Sequence, residues 1–157
     1  MIEIVPYEPG LHREGIREIL ARNGWEGRYI AGQLDKLDVL SGDPKPGTRG
    51  RVYVSESDGV LAGFVSIELR EWNRLGQLHG LAVDPSLKRR GIASALVSHA
   101  EVFVREKDGR GIYVDTPATN EVARRFYLAL GYHLVYTMPE YYDEGLDGVT
   151  YLKLFPK

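Results

Sequence analysis

The run Leu81-Ala82-Val83-Asp84-Pro85-Ser86-Leu87-Lys88-Arg89-Arg90-Gly91-Ile92-Ala93-Ser94-Ala95-Leu96 concentrates the residues best suited to chemistry. An apolar segment of strand character ends at Asp84-Pro85. A basic triplet, Lys88, Arg89 and Arg90, leads into Gly91-Ile92-Ala93. Apolar residues then recur at Ile92, Ala93, Leu96, Val97, Ala100, Phe103 and Val104, the spacing of an amphipathic helix. The first N–H groups of a helix have no acceptor within it, and the helix dipole favours an anion there. Gly91 and Ala93 carry too little side chain to keep a ligand from the backbone. Strand, basic small-residue turn and helix start together make a site for a pyrophosphate.

The turn resembles the acetyl-CoA signature of the GNAT N-acetyltransferase superfamily, Arg/Gln-x-x-Gly-x-Gly/Ala after a strand. Lys88 stands at the first position, where it keeps a donor, and Gly91 and Ala93 fill the small positions. A second stretch, Asn120 to Tyr132, is similar to the superfamily's Asn-x-x-Ala-x-x-x-Tyr-x-x-x-Gly-Phe. Asn120, Ala123, Tyr127 and Gly131 match, and Tyr132 replaces Phe. The resemblance implies that Leu81, Ala82 and Val83 pair with the pantetheine arm. It also implies that Lys88, Arg89, Arg90, Gly91, Ile92, Ala93 and Ser94 take the pyrophosphate, and that Asn120 and Tyr127 border the cofactor.

Transfer of an acetyl group to an amine needs a base for the amine proton, a donor for the oxyanion and an acid for the leaving thiolate. By resemblance, Tyr127 is the acid and the Val83 N–H the oxyanion donor. The base stays open between two residues. Asp115 has the spacing to Asn120 at which ribosomal-protein alanine acetyltransferases carry a Glu. Other members place a Glu on the fourth strand, where this chain has Gln77, which cannot act as a base. His79 shares Gln77's strand face and titrates in the useful range. The segment with Tyr141-Tyr142 resembles a loop of protein N-terminal acetyltransferases, and Trp25 and Tyr29 lie in the early helical region where acceptor contacts vary. These four are the candidate acceptor-binding residues.

Each of these residues also has a plainer reading. Asn120 is a natural helix N-cap. Asp115 and His79 can be satisfied sheet residues, Tyr127 a core aromatic beside Phe126, and Trp25 and Tyr29 core residues of an amphipathic helix. Tyr141 and Tyr142 can cap a sheet edge. Glu68, Glu71, Asp143, Glu144 and Asp147 read as a solvated face without a role.

Bulk properties narrow the classes. A chain of 157 residues suits a single domain over its whole length, 1–157. With no cysteine, disulfides and thiolate chemistry are excluded. His12, His79, His99 and His133 are scattered, so no metal site is expected. A net charge of −2 with one short basic cluster argues against a nucleic-acid partner. No apolar run reaches a membrane span, and the N-terminus reads as a strand, so a cytoplasmic location is expected.

The elements that must position these residues alternate in period. Strands are expected at 2–7, 51–56, 60–69, 77–84, 111–116, 132–138 and 149–155. Helices are expected at 10–22, 25–40, about 88–107 and 119–130. That order indicates an α/β fold with a mixed central sheet of about seven strands flanked by about four helices, as in the GNAT acyl-CoA N-acyltransferase fold. The expectation is an acetyl-CoA-dependent N-acetyltransferase acting by direct transfer in a ternary complex. A protein or peptide N-terminal α-amine is the first acceptor class and a small-molecule amine (polyamine, amino acid, antibiotic) the second. A non-catalytic acyl-CoA sensor is the alternative from another class. Dimers are common in the family, so the resemblance also allows a homodimer.

Overall fold

Apolar periodicity separates the helices into two groups on opposite faces of the sheet. The computed structural model describes residues 2–157. Helix α1 (Pro9–Arg22) buries Ile16, Ile19 and Leu20, and α2 (Gly27–Ser41) buries Ile30, Leu34, Leu37 and Leu40. They pack with Val52, Val54 and Phe64 of β2 (Thr48–Ser57) and β3 (Val60–Arg70). Helix α3 (Ile92–Glu106) covers the other face with Leu96, Val97, Ala100, Phe103 and Val104 against Val65, Ile67 and Leu78. The middle of β3 is buried almost continuously because both its faces are covered.

The remaining elements are β1 (Ile2–Pro6), β4 (Leu75–Val83), β5 (Gly111–Pro117), α4 (Glu121–Ala129), β6 (His133–Asp143) and β7 (Leu146–Leu154). One seven-stranded sheet has the order β1-β2-β3-β4-β5-β7-β6. With four α-helices among the described residues this is the expected architecture. Among the boundaries that differ, two bear on the site. Residues 88–90 are not helical: a short 3₁₀ turn, Pro85–Leu87, follows β4, and α3 begins only at Ile92. The proline at 85 and the left-handed Gly91 (φ 77°) hold the intervening turn out of the helix. Likewise Tyr141 and Tyr142 lie on strand β6 and not in a loop. Their strand is irregular: regular pairing with β7 breaks after Met138, and Glu140 has φ 51°.

The central feature for function is where the sheet opens. Strands β4 and β5 are parallel neighbours, but only residues 75–78 pair with 111–114. Beyond Leu78 and Val114 the two strands diverge. The cause sits on β4's other side. Ser66 pairs with Gly80 and Ile67 with Leu78, so His79 is an extra residue, a β-bulge that bends β4 away from β5. The arms of the resulting V are residues 79–83 and 115–117. Tyr132, just past α4, is tied to α3, its buried hydroxyl donating to Glu101 Oε2 at 2.9 Å.

Candidate active site

A cavity of about 570 Å³ fills the V. Its walls come from β4 (His79, Gly80, Leu81), β5 (Asp115, Thr116, Pro117), α2 with its preceding loop (Trp25, Tyr29, Gln33), α4 (Ala123, Tyr127) and β6 (Tyr142). The backbone of β4 offers it hydrogen-bonding groups. Asp84 N–H donates to Ala62 O of β3 at 2.7 Å. Strand alternation then turns the Ala82 groups toward β3 and those of Leu81 and Val83 toward the opening. Val83 O is taken by Asn23 Nδ2 at 3.0 Å, which leaves the Val83 N–H facing the V.

The basic turn follows the open arm of β4. Asp84 organises its start. Oδ1 accepts from Ser86 N at 3.0 Å and from Ser86 Oγ at 2.8 Å, and Oδ2 accepts from Arg22 Nη2 at 2.6 Å. The Ser86 backbone N–H, followed by the Ser86 hydroxyl and Arg22, outweighs burial and holds this carboxyl below its usual range. Arg89 (φ 67°) and Gly91 (φ 77°) are both left-handed. The first bond of α3 runs from Ala95 N to Gly91 O, so the N–H groups of Ile92, Ala93 and Ser94 precede the helical ladder. Ile92's side chain is buried in the core, so only its backbone faces the turn. None of residues 88–94 lines the cavity itself; they follow the end of β4, whose His79, Gly80 and Leu81 do. Replacing Asp84 by Ala is expected to cost about 1 kcal/mol by analogy with lost caps, read from the urea midpoint, and to weaken any ligand held by the turn.

Beneath the cavity is a polar layer. Here the solvated reading of Glu68 is corrected: it is 6% exposed, facing inward from β3. Register places Glu68 opposite Gln77, and strand alternation puts His79 on the same face as Gln77, with Nε2 2.8 Å from Glu68 Oε1. Arg70 Nη2 lies 3.3 Å and Lys36 Nζ 3.8 Å from the same oxygen. Arg70 is held in turn by Tyr113 Oη at 2.8 Å and Gln77 Oε1 at 2.9 Å. Gln77 is therefore a structural member of this layer. Burial alone would raise Glu68's pKa. The hydrogen bond from His79, with Lys36 and Arg70, outweighs it and keeps the carboxyl below its usual value. For His79 burial is the largest influence and pushes the imidazole down. Lys36 and Arg70 act in the same direction, Glu68 opposes, and the net position is below the ordinary 6.5.

The other candidates are partly brought together. Asp115 lines the cavity and accepts a short hydrogen bond from the Thr150 hydroxyl, its register partner on β7. Tyr127 lines it too, its ring packed against Phe126, Tyr132 and Tyr151. Burial, with a smaller contribution from Tyr142, raises the Tyr127 phenol well above its usual value. Tyr142 is raised by burial and then by Asp115. Asn120 caps α4, Oδ1 accepting from Ala123 N at 3.1 Å, and also borders the cavity. Trp25 and Tyr29 line the cavity and are not core residues. The pair Tyr141-Tyr142 is divided: Tyr142 faces the cavity, whereas Tyr141 is 52% exposed outside it. Sequence reasoning missed Glu68, Lys36 and Arg70. A carboxylate inside the otherwise apolar stretch of β3 was the available signal.

Residues 21–132 match the family model for acetyltransferases of the GNAT family. The chain belongs to that family. It is 30% identical over 105 residues to an uncharacterized N-acetyltransferase of Methanocaldococcus jannaschii, covering 66% of each chain. Matches to the first curated relatives span 30% to 66% of those proteins' lengths. Among solved structures, the fold is shared with the ribosomal-protein-S18-alanine N-acetyltransferase of Escherichia coli (TM-score 0.76, 18% identity, 100% of this chain and 96% of that one). It is also shared with an aminoglycoside 6'-N-acetyltransferase complexed with coenzyme A (TM-score 0.81, 18% identity, 99% and 98%). In this GNAT chain the V between β4 and β5 lies within the family match, and Tyr142 lies beyond it.

Proposed function

We propose that the chain is an N-acetyltransferase that moves an acetyl group from acetyl-CoA to a primary amine by direct transfer. The observation that carries the reading is the V itself. One cavity holds an unpaired β4 edge, a titratable imidazole and a phenol, and the same strand runs on into a basic left-handed turn at a helix start. The chain's groups fit the co-substrate. Leu81 and Val83 present backbone groups suited to the amides of an extended arm. A Cβ built on Gly91 meets nothing within 4 Å, so the turn has room for phosphate oxygens. Acetyl-CoA supplies the activated acyl carbon as a thioester.

The amine nitrogen attacks that carbon and the C–S bond breaks. His79 takes the amine proton. Its lowered pKa keeps it neutral near pH 7, with a lone pair ready for that proton. In this reading Asp115 attracts the acceptor's positive charge, with Trp25, Tyr29 and Tyr142 as an aromatic wall suited to a cation. The Val83 N–H meets the charge developing on oxygen. Tyr127 returns a proton to the leaving sulfur, and its raised pKa keeps that proton in place until it is needed. Tyr127→Phe is expected to lower kcat by roughly 100-fold or more while acetyl-CoA affinity measured by calorimetry holds. Equal losses in both would remove its role as acid.

The acceptor is proposed to be a protein or peptide N-terminal α-amine, supported by the full-length likeness to the alanine N-acetyltransferase. The aminoglycoside enzyme's TM-score of 0.81 favours a small-molecule amine as the second reading. Thiol release from acetyl-CoA, followed across N-terminal peptides, polyamines, aminoglycosides and amino acids, separates the two. Release with peptides alone supports the first and release with small amines alone the second. Tight acetyl-CoA binding without release from any acceptor would instead favour a sensor.

A further inference from the structure

Glu68 sits under His79 and does not line the cavity. Its carboxylate gathers His79 Nε2 at 2.8 Å, Arg70 Nη2 at 3.3 Å and Lys36 Nζ at 3.8 Å. A carboxylate so surrounded is ionised at neutral pH and can only accept. The imidazole nitrogen facing it must then carry the hydrogen. In a neutral ring the lone pair is left on Nδ1, which has no hydrogen-bond partner among the described residues.

We propose that Glu68 is the positioning residue of this site, locking His79 in the Nε2–H tautomer so that the Nδ1 lone pair is free to take the amine proton. The inference rests on the reading of His79 as the base. It goes further by assigning a role to a side chain that touches neither substrate.

The surroundings of His79 support the lock. From β3 it meets Glu68 and Arg70, and from α2 Lys36. Gln33 of α2 donates to the His79 carbonyl at 3.4 Å, which steadies the bulge. Gln77 of β4 and Tyr113 of β5 hold the Arg70 guanidinium in place. Two cations therefore flank the pair with the Glu68 charge between them. That charge opposes their effect on the imidazole. Without it, His79 would bind a proton less readily and be a weaker base.

Two variants separate the parts of this role. Glu68→Gln keeps an acceptor oxygen at nearly the same place but removes the charge. Glu68→Met removes both. The readouts are ¹⁵N NMR of the His79 ring in the full chain, assigned against His79→Gln, and the pH dependence of kcat. In the unsubstituted protein at pH 7 the ring is expected as Nε2–H with a bare Nδ1. Glu68→Gln should retain that tautomer, titrate at lower pH, and move the acidic limb of the rate profile the same way. Glu68→Met should release the tautomer and lower kcat roughly 10- to 100-fold, with acetyl-CoA affinity kept. An Nδ1–H ring in the unsubstituted protein would overturn the proposal. So would a tautomer and titration that neither variant changes. If the NMR results hold but His79→Ala keeps kcat and its acidic limb, the lock is real and the base reading is what fails.

Discussion

His79→Ala is expected to lower kcat by roughly 10²- to 10⁴-fold, the usual contribution of a positioned general base, with little change in acetyl-CoA affinity. The imidazole stands at the bulge where β4 leaves β5, at the inner end of the cavity and apart from the phosphate turn. Removing it takes the proton acceptor away without disturbing the turn. The pH profile gives the sharper test. Burial first, then Lys36 and Arg70, sets His79 below 6.5, so the acidic limb of kcat/KM should fall below that pH and vanish in the variant. The same shift has a stability consequence. Because the folded pKa is depressed, the unfolded chain binds a proton below about 6.5 that the native state does not. This group's contribution is complete above that pH and declines as pH falls through the folded pKa. His79→Ala should flatten that part of the denaturation-midpoint curve against pH. A retained limb in the variant would transfer the base role to Asp115 or to water.

Gly91→Val is expected to lower acetyl-CoA affinity by about 100-fold or more. Gly91 has φ 77°, a conformation that costs a residue with a Cβ roughly 1–2 kcal/mol, and valine more because it is β-branched. Space is not the obstacle, since nothing lies within 4 Å of a built Cβ. The turn must change conformation to relieve the strain. The N–H groups of Ile92, Ala93 and Ser94 then no longer converge with Lys88, Arg89 and Arg90. Losing two charge-assisted hydrogen bonds at about 1.5–3 kcal/mol each accounts for the size of the effect. Gly91→Ala should fall between, as it carries the same sign of backbone cost without the branch. Calorimetric titration with acetyl-CoA checks both, and an unchanged affinity in the valine variant would put the phosphate site elsewhere.

The features readable from the chain are those set within a few residues. Gly91 and the basic triplet mark the turn because a left-handed position and a helix start are local matters. Asn120 announces its cap by its place ahead of the α4 periodicity, and it does cap Ala123 N–H. The buried faces of α1, α2 and α3 follow from apolar spacing. Glu68 was misread because its partners, Lys36, Arg70 and His79, come from three elements and meet only through sheet register and helix packing. Tyr141 and Tyr142 are neighbours in sequence, yet strand alternation on β6 leaves only Tyr142 facing the cavity.

The sequence by itself determined the element order, the α/β sheet architecture and the phosphate turn, because periodicity, capping and left-handed turns are dictated by neighbouring side chains. Tertiary structure alone decided the opening of the sheet and the pairing of His79 with Glu68. A single extra residue against β3 bends β4 from β5, and the alignment of β3 with β4 sets His79 beside the buried carboxylate. Such a bulge depends on how two strands align, which neither strand's own residues specify.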